Sequence, residues 1–242
     1  MAKTPNSPEE IFEEFTRDYR SAFQENLISI ILHGSGARGE YVAKRSDINF
    51  VIVLSQHGIE QLNRALDLIP QWRKRRVSLP LFISKEYIDS ALDAFPIEFM
   101  NMKNHHKVVF GKDVLEDLQI NLKDLRLQLE RELRSKLLYL RQAFLGAGND
   151  RRMLKAMLSK SLSTFVSLFS ALLYLKEGKV PKATAEVFEQ TGKIVGLDPS
   201  LFRGLLKIKK GDRKASKAEL REITLNYIGQ IKKLVEYVDN MK

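Results

Sequence analysis

Four residues near the start of the chain have types and spacing that could do chemistry. Gly34 and Ser35 directly follow an apolar run, and a glycine there allows close approach of the backbone to a ligand. Asp47 and Asn49 lie at the head of a second apolar run; two positions apart on a strand, they share one face. A Gly-Ser phosphate turn facing a short row of oxygen ligands predicts a site for a metal-bound nucleoside triphosphate.

Two arginines flank these residues. With Ala37, Arg38 could begin a helix whose first N–H groups point back at the turn, where they suit a phosphate. The guanidinium groups of Arg38 and Arg45 suit bidentate contacts to triphosphate oxygens, although both could equally be solvated loop charges. Gly-Ser alone is often an ordinary turn, and Asp47 could merely cap one. The combination favours phosphate binding.

Apolar periodicity predicts the elements that must position these residues. In the N-terminal part they are a helix at 8–24 capped by Ser7, strands at 28–32, 48–54 and 77–83, a helix at 56–75 broken by Pro70, and a short helix at 85–94. From residue 122 onward only helices are predicted, at 122–144, 151–176 (capped by Asp150), 182–191, 199–209 and 217–241. Short connections between them imply an antiparallel bundle.

The motif residues resemble the nucleotidyltransferase superfamily, the fold shared by DNA polymerase β and aminoglycoside nucleotidyltransferases. The resemblance rests on Gly34-Ser35, Ala37-Arg38-Gly39 and Ser46-Asp47-Ile48-Asn49, with support from Phe95–Phe99 and Val108–Gly111. It is clear over roughly residues 10–115. It implies an α+β fold: a mixed sheet with flanking helices at 1–118, then an all-α bundle at 119–242 like the C-terminal domain of kanamycin-type enzymes.

The resemblance also implies a reaction. Such an enzyme transfers a nucleoside monophosphate from a Mg²⁺-bound nucleoside triphosphate, such as ATP, to a hydroxyl of a small-molecule or protein acceptor. By this resemblance Gly34 and Ser35 would hold the β- and γ-phosphates, and Asp47 and Asn49 would be the catalytic metal ligands.

The sequence departs from the family at the metal ligands. Family enzymes hold two Mg²⁺ with three carboxylates, whereas here the second position is the neutral Asn49 and the predicted strand 77–83 contains no carboxylate. Mg²⁺ prefers charged oxygens, so we expect one ion at most, carried by the nucleotide. Glu98 is a weaker candidate for a substitute carboxylate. The alternative is a non-catalytic nucleotide-binding, regulatory or protein-interaction module on the same fold.

Composition sets the remaining expectations. Forty Lys and Arg against thirty Asp and Glu, a net charge of +10, favour anionic partners. The basic segments Trp72–Arg76 and Lys207–Arg221 could bind nucleic acid. They match no recognised nucleic-acid-binding motif, however, and a run of charged residues usually forms a solvent-exposed face. The absence of cysteine and of an apolar leader predicts a cytoplasmic protein with no membrane segment. The sequence is also compatible with a homodimer.

Overall fold

The computed structural model describes residues 4–241 and divides the chain into two compact units. The sheet unit comprises Met1–Asp93 and Met102–Ile120, and the helical unit comprises Ala94–Asn101 and Asn121–Lys242. The chain crosses between the units after Asp93, after Asn101 and after Ile120, and the second crossing lies within the helix Pro96–Asn104.

The sheet unit contains four strands and several short helices. The strands are β1 (Leu27–His33), β2 (Asn49–Leu54), β3 (Leu81–Ser84) and β4 (His106–Gly111). The helices are α1 (Phe12–Phe23), α2 (Gly34–Ala37), α3 (Gln56–Ile59), α4 (Leu68–Arg73) and α5 (Lys85–Ala91), with 3-10 turns at Pro8–Ile11, Gln24–Asn26 and Leu62–Ala65. The next helix, α6 (Pro96–Asn104), is divided between the two units.

The sheet is mixed, with the strand order β3-β2-β1-β4. β1 pairs antiparallel with both β2 and β4, while β2 pairs parallel with β3. The near-continuous apolar sequences of the two central strands fit their burial, since most residues of β1 and β2 are buried. The mixed sheet predicted from the sequence is confirmed.

Aromatic residues of α1 form the core on one face of the sheet. Phe15 stacks on Phe50 of β2 with ring centroids 4.2 Å apart, and its ring meets Trp72 of α4 edge-on at 4.9 Å. All three side chains are buried. This packing, rather than helix propensity, holds α1 against the sheet.

Three elements of the sheet unit differ most from the sequence prediction. The helix predicted at 8–24 begins as a 3-10 turn, and Ser7 makes no side-chain cap. The helix predicted at 56–75 is three short pieces, and Pro70 lies in the first turn of the last piece, where proline is tolerated. The strand predicted at 77–83 is shorter, because Pro80 removes one N–H before β3 begins.

The helical unit follows the prediction closely. Its helices are α7 (Leu122–Ala147), α8 (Arg151–Glu177), α9 (Thr184–Val195), α10 (Pro199–Lys210) and α11 (Lys217–Asp239). Asp150 caps α8 as predicted, accepting hydrogen bonds from the backbone N–H groups of Arg152 and Met153. The short connection from α7 to α8 makes these two helices antiparallel neighbours.

An aromatic cluster joins α8, α9, α10 and α11. Phe202 lies 5.3 Å from Phe169, 5.0 Å from Phe188 and 6.0 Å from Tyr227, measured between ring centroids. All four rings are buried. One ring of α10 therefore contacts three other helices and ties the bundle together.

Helix α8 is apolar enough to cross a membrane by length and composition. An 18-residue window has a mean hydropathy of 1.4, and half of that window is buried inside the fold. A core helix of a soluble bundle passes the same test. The expectation of no membrane segment therefore stays a prediction.

The sheet core should respond sharply to truncation of a buried leucine. We expect Leu54→Ala, at a fully buried position, to lower the free energy of unfolding by about 2–5 kcal/mol. Leu66→Ala, at a position 68% exposed, should change it by less than about 0.5 kcal/mol. Urea unfolding followed by the fluorescence of Trp72, the single tryptophan, reads both variants. Equal losses would contradict the assignment of the core.

Candidate functional site

The Gly-Ser turn is a short helix at the end of β1. Helix α2 begins at Gly34, earlier than the predicted start at Ala37, so both glycines and Ser35 belong to its single turn. His33 precedes it in an extended conformation and makes no side-chain cap. The first N–H groups of a helix have no partner within that helix. Backbone donors are therefore concentrated at Gly34 and Ser35, next to the sheet.

Two of the turn's glycines are required for different reasons. Gly34 has φ = +69°, and a Cβ there would lie 3.2 Å from Nδ2 of Asn49. A Cβ on Gly36 would instead meet Leu32 at 3.2 Å and Pro8 at 3.3 Å. Gly36 thus fits the turn to apolar neighbours, while Gly34 brings its backbone against a polar side chain of the next strand.

Asn49 and Asp47 lie where the sequence predicted, at the head of β2. The β1–β2 register sets Asn49 opposite His33, so Asn49 lies next to Gly34. Its Nδ2 donates to the backbone carbonyl of Asp47 at 3.4 Å. The structure therefore brings Gly34 and Asn49 together, and links Asn49 to Asp47 through the backbone.

The carboxylate of Asp47 is paired with Arg76. Nη2 of Arg76 lies 2.8 Å from Oδ1 of Asp47 and also donates to the carbonyl of Arg45 at 3.1 Å, while Nε donates to the carbonyl of Ser46 at 3.3 Å. The Asp47 side chain is 56% exposed and that of Arg76 36% exposed. The guanidinium is thus held by one carboxylate and two carbonyls at the candidate metal ligand.

The backbone also holds Arg76 in place. Ile48 N–H donates to the carbonyl of Arg76 at 2.9 Å, and Ser78 N–H donates to the carbonyl of Ile48 at 2.9 Å. Ile48 and Val77 form an isolated parallel bridge, and Arg76 has φ = +64°. Hydrogen bonds therefore hold both the backbone of Arg76, through Ile48, and its guanidinium, through the carbonyls of Arg45 and Ser46.

Sequence reasoning placed Arg76 only in a basic run, as a candidate for nucleic acid. In the structure the side chains of that run have different surroundings. Arg75 pairs with Glu14 and stacks over Trp72 at 5.0 Å, and Arg76 pairs with Asp47. Arg73 and Lys74 are exposed. The pairing of Arg76 with Asp47 joins residues far apart in sequence. No local pattern could have found it.

The other candidates lie as follows. Arg38 directly follows α2 and is half-buried; burial lowers its pKa below the ordinary value, and the charge of Glu40 acts in the opposite direction. Arg45 is exposed, and its carbonyl serves Arg76. Glu98 belongs to the helical unit, where its carboxylate accepts a hydrogen bond from Gln128 at 2.8 Å.

Within residues 4–241, no group of three or more His, Cys, Asp or Glu side chains is gathered to hold a metal ion. At the turn, the donor set is the one carboxylate of Asp47, already bonded to a guanidinium, and the amide of Asn49. Mg²⁺ requires near-ideal octahedral oxygen coordination and loses its waters reluctantly. These side chains do not fit a pair of Mg²⁺ ions.

His33 should make the sheet unit sensitive to acid. Burial lowers the pKa of its imidazole to about 4, below the ordinary value of about 6.5. The unfolded chain therefore binds a proton that the folded chain does not between about pH 6.5 and pH 4, and stability falls as the pH falls through that window. We expect His33→Gln, compared with wild type in urea unfolding across the window, to lose less stability. An identical pH dependence would contradict this assignment.

Comparisons with known proteins support the fold. No protein-family model matches the sequence, and no curated protein matches it. The structure of spectinomycin adenyltransferase from Enterococcus faecialis, solved with ATP and spectinomycin, is similar to that of this chain with a TM-score of 0.55 and 15% identity. The match covers 94% of this chain and 100% of that chain. At this identity the likeness is one of fold. The chain shares the fold of that adenyltransferase, an α+β mixed sheet with flanking helices followed by a helical bundle.

Proposed function

We propose that the chain binds a nucleoside triphosphate at the turn formed by Gly34 and Ser35. The observation that carries the proposal is the close approach of Gly34 to Asn49: Gly34 has a positive φ, and a Cβ there would crowd the Asn49 amide at 3.2 Å. Backbone N–H groups at such a turn are suited to phosphate oxygens. The fold, shared with a protein solved with ATP, supports the same ligand.

The charges near the turn support an anionic ligand. Arg76 lies beside Asp47, Arg38 follows the turn, and the chain carries a net charge of +10. Cationic groups around a cleft raise the local concentration of anions. A triphosphate carries several negative charges, so this setting favours it over a neutral ligand.

Nucleotidyl transfer is the second candidate function, and the fold favours it. In that reaction an acceptor hydroxyl attacks the α-phosphorus of the triphosphate, a new P–O bond forms, and pyrophosphate leaves. The acceptor would be a small molecule or a protein; the spectinomycin of the similar structure suggests an aminocyclitol as the first acceptor to test. With one carboxylate at the site, we expect this activity to be slow.

The turn can be tested with a matched pair of glycine substitutions. Gly34 and Gly39 both have positive φ, at +69° and +75°, so alanine strains both; but a Cβ on Gly39 meets nothing within 4 Å. We expect Gly34→Ala to weaken ATP binding in calorimetry at least about tenfold, since it displaces Asn49 and the turn. Gly39→Ala should retain the wild-type affinity. Equal losses in the two variants would mean that strain alone is being measured.

Transfer can be tested by restoring a carboxylate. We expect Asn49→Asp to raise pyrophosphate release from ATP, with spectinomycin as acceptor, at least about tenfold over wild type, because Mg²⁺ prefers charged oxygens. Asn63→Asp adds the same charge at an exposed position of the sheet unit and should change nothing. A wild-type rate already within about 1–10³ s⁻¹, with no gain in Asn49→Asp, would show that the site needs no second carboxylate.

A further inference from the structure

We infer that Arg76 is the resident cation of the triphosphate site, so that the nucleotide binds there without a divalent metal. The inference rests on the proposed nucleotide binding and adds to it the ionic form of the ligand: a metal-free nucleoside triphosphate. The observation behind it is the disagreement between the residues present and the Mg²⁺ site that the fold implies.

The guanidinium of Arg76 lies at the carboxylate that would bind a metal ion. Asp47 is the one carboxylate at the head of β2, and the guanidinium of Arg76 contacts Oδ1 of that carboxylate at 2.8 Å. A cation already lies at one of the two oxygens of that carboxylate. Because like charges repel, the guanidinium weakens the attraction of Asp47 for a divalent ion.

The guanidinium of Arg76 has more N–H donors than its present partners use. A guanidinium has five N–H donors in a rigid planar fork. The bonds to Asp47, Arg45 and Ser46 use Nε and Nη2, and Nη1 carries two further N–H groups. The remaining Nη1 can donate a charge-assisted hydrogen bond to a phosphate oxygen. Arg76 can therefore bridge Asp47 and a phosphate, which is the bridging role that a metal ion has in such sites.

Hydrogen bonds hold both the backbone and the side chain of Arg76 in place. Its carbonyl accepts from Ile48, its Nε and Nη2 donate to two loop carbonyls, and its neighbour Val77 bridges to Ile48. A mobile surface arginine would lose conformational freedom on binding a phosphate. Here that freedom is already restricted, so the guanidinium is preorganised.

The experiment compares nucleotide binding with and without metal. For wild type we expect calorimetric ATP affinities in EDTA and in Mg²⁺ that agree within about threefold. Arg76→Gln should bind ATP at least about tenfold more weakly in EDTA, because a charge-assisted contact from Nη1 is lost, and Mg²⁺ should restore part of that loss through the freed Asp47. Arg76→Lys, which retains the charge without the fork, should fall between the two.

Arg73→Gln is the matched control. It removes the same charge from the same basic run at an exposed position of α4, and it should bind ATP like wild type in both conditions. A loss equal to that of Arg76→Gln would assign the effect to net charge and overturn the inference.

A second measurement needs no nucleotide. Paramagnetic resonance of free Mn²⁺ titrated with protein should show no binding by wild type and binding by Arg76→Gln, which exposes Asp47. Mn²⁺ binding by wild type that Asp47→Asn abolishes would overturn the inference, and it requires no Arg76 variant to fold.

The outcomes separate this inference from the proposed function. Wild type that binds ATP in Mg²⁺ but not in EDTA overturns the resident cation while leaving nucleotide binding intact. Wild type that binds ATP in neither condition overturns the proposed function, and the inference with it.

Discussion

The antiparallel pairing of β1 with β2 is the interaction on which the candidate site depends. It sets His33 opposite Asn49, and so brings the turn that follows β1 against the first residue of β2. Side chains alternate between the faces of a strand, so a slip of one residue would move Asn49 to the other face. The buried apolar residues of both strands fix the register against such a slip. The hydrophobic core thus determines the geometry of a polar site.

A second backbone pairing adds the cation. The isolated bridge between Ile48 and Val77 brings the segment before β3 alongside the head of β2, and Arg76 lies at its start. The side chain of Arg76 reaches Asp47 because the backbone places it there. The electrostatics of the site therefore follow from strand topology: the segment that precedes β3 contributes a guanidinium at the carboxylate of Asp47.

Local sequence patterns predicted the scaffold better than the contacts. Strands β1, β2 and β3 and the five C-terminal helices follow from apolar periodicity, whereas β4 was not predicted as a strand; the cap at Asp150 follows from a residue type at a helix start. Residues 56–75 were mispredicted because their helical spacing is overridden by tertiary packing, with Trp72 buried against Phe15. The pairing of Arg76 with Asp47 depends on two distant segments meeting, which no window of sequence contains.

The net contribution of Arg76 to folding stability is small once its backbone strain is counted. An ion pair as exposed as this one contributes about 0–1 kcal/mol to folding, whereas a residue other than glycine at φ = +64° costs about 1–3 kcal/mol. The hydrogen bond from Ile48 goes to the backbone carbonyl, so glycine would preserve it with less strain. The side chain also donates to the carbonyls of Arg45 and Ser46, at about 0.5–1.5 kcal/mol each, so its bonds about offset the strain of its backbone. The net gain in folding stability is therefore small, and the distinctive contribution of Arg76 is a positive charge at the carboxylate of Asp47.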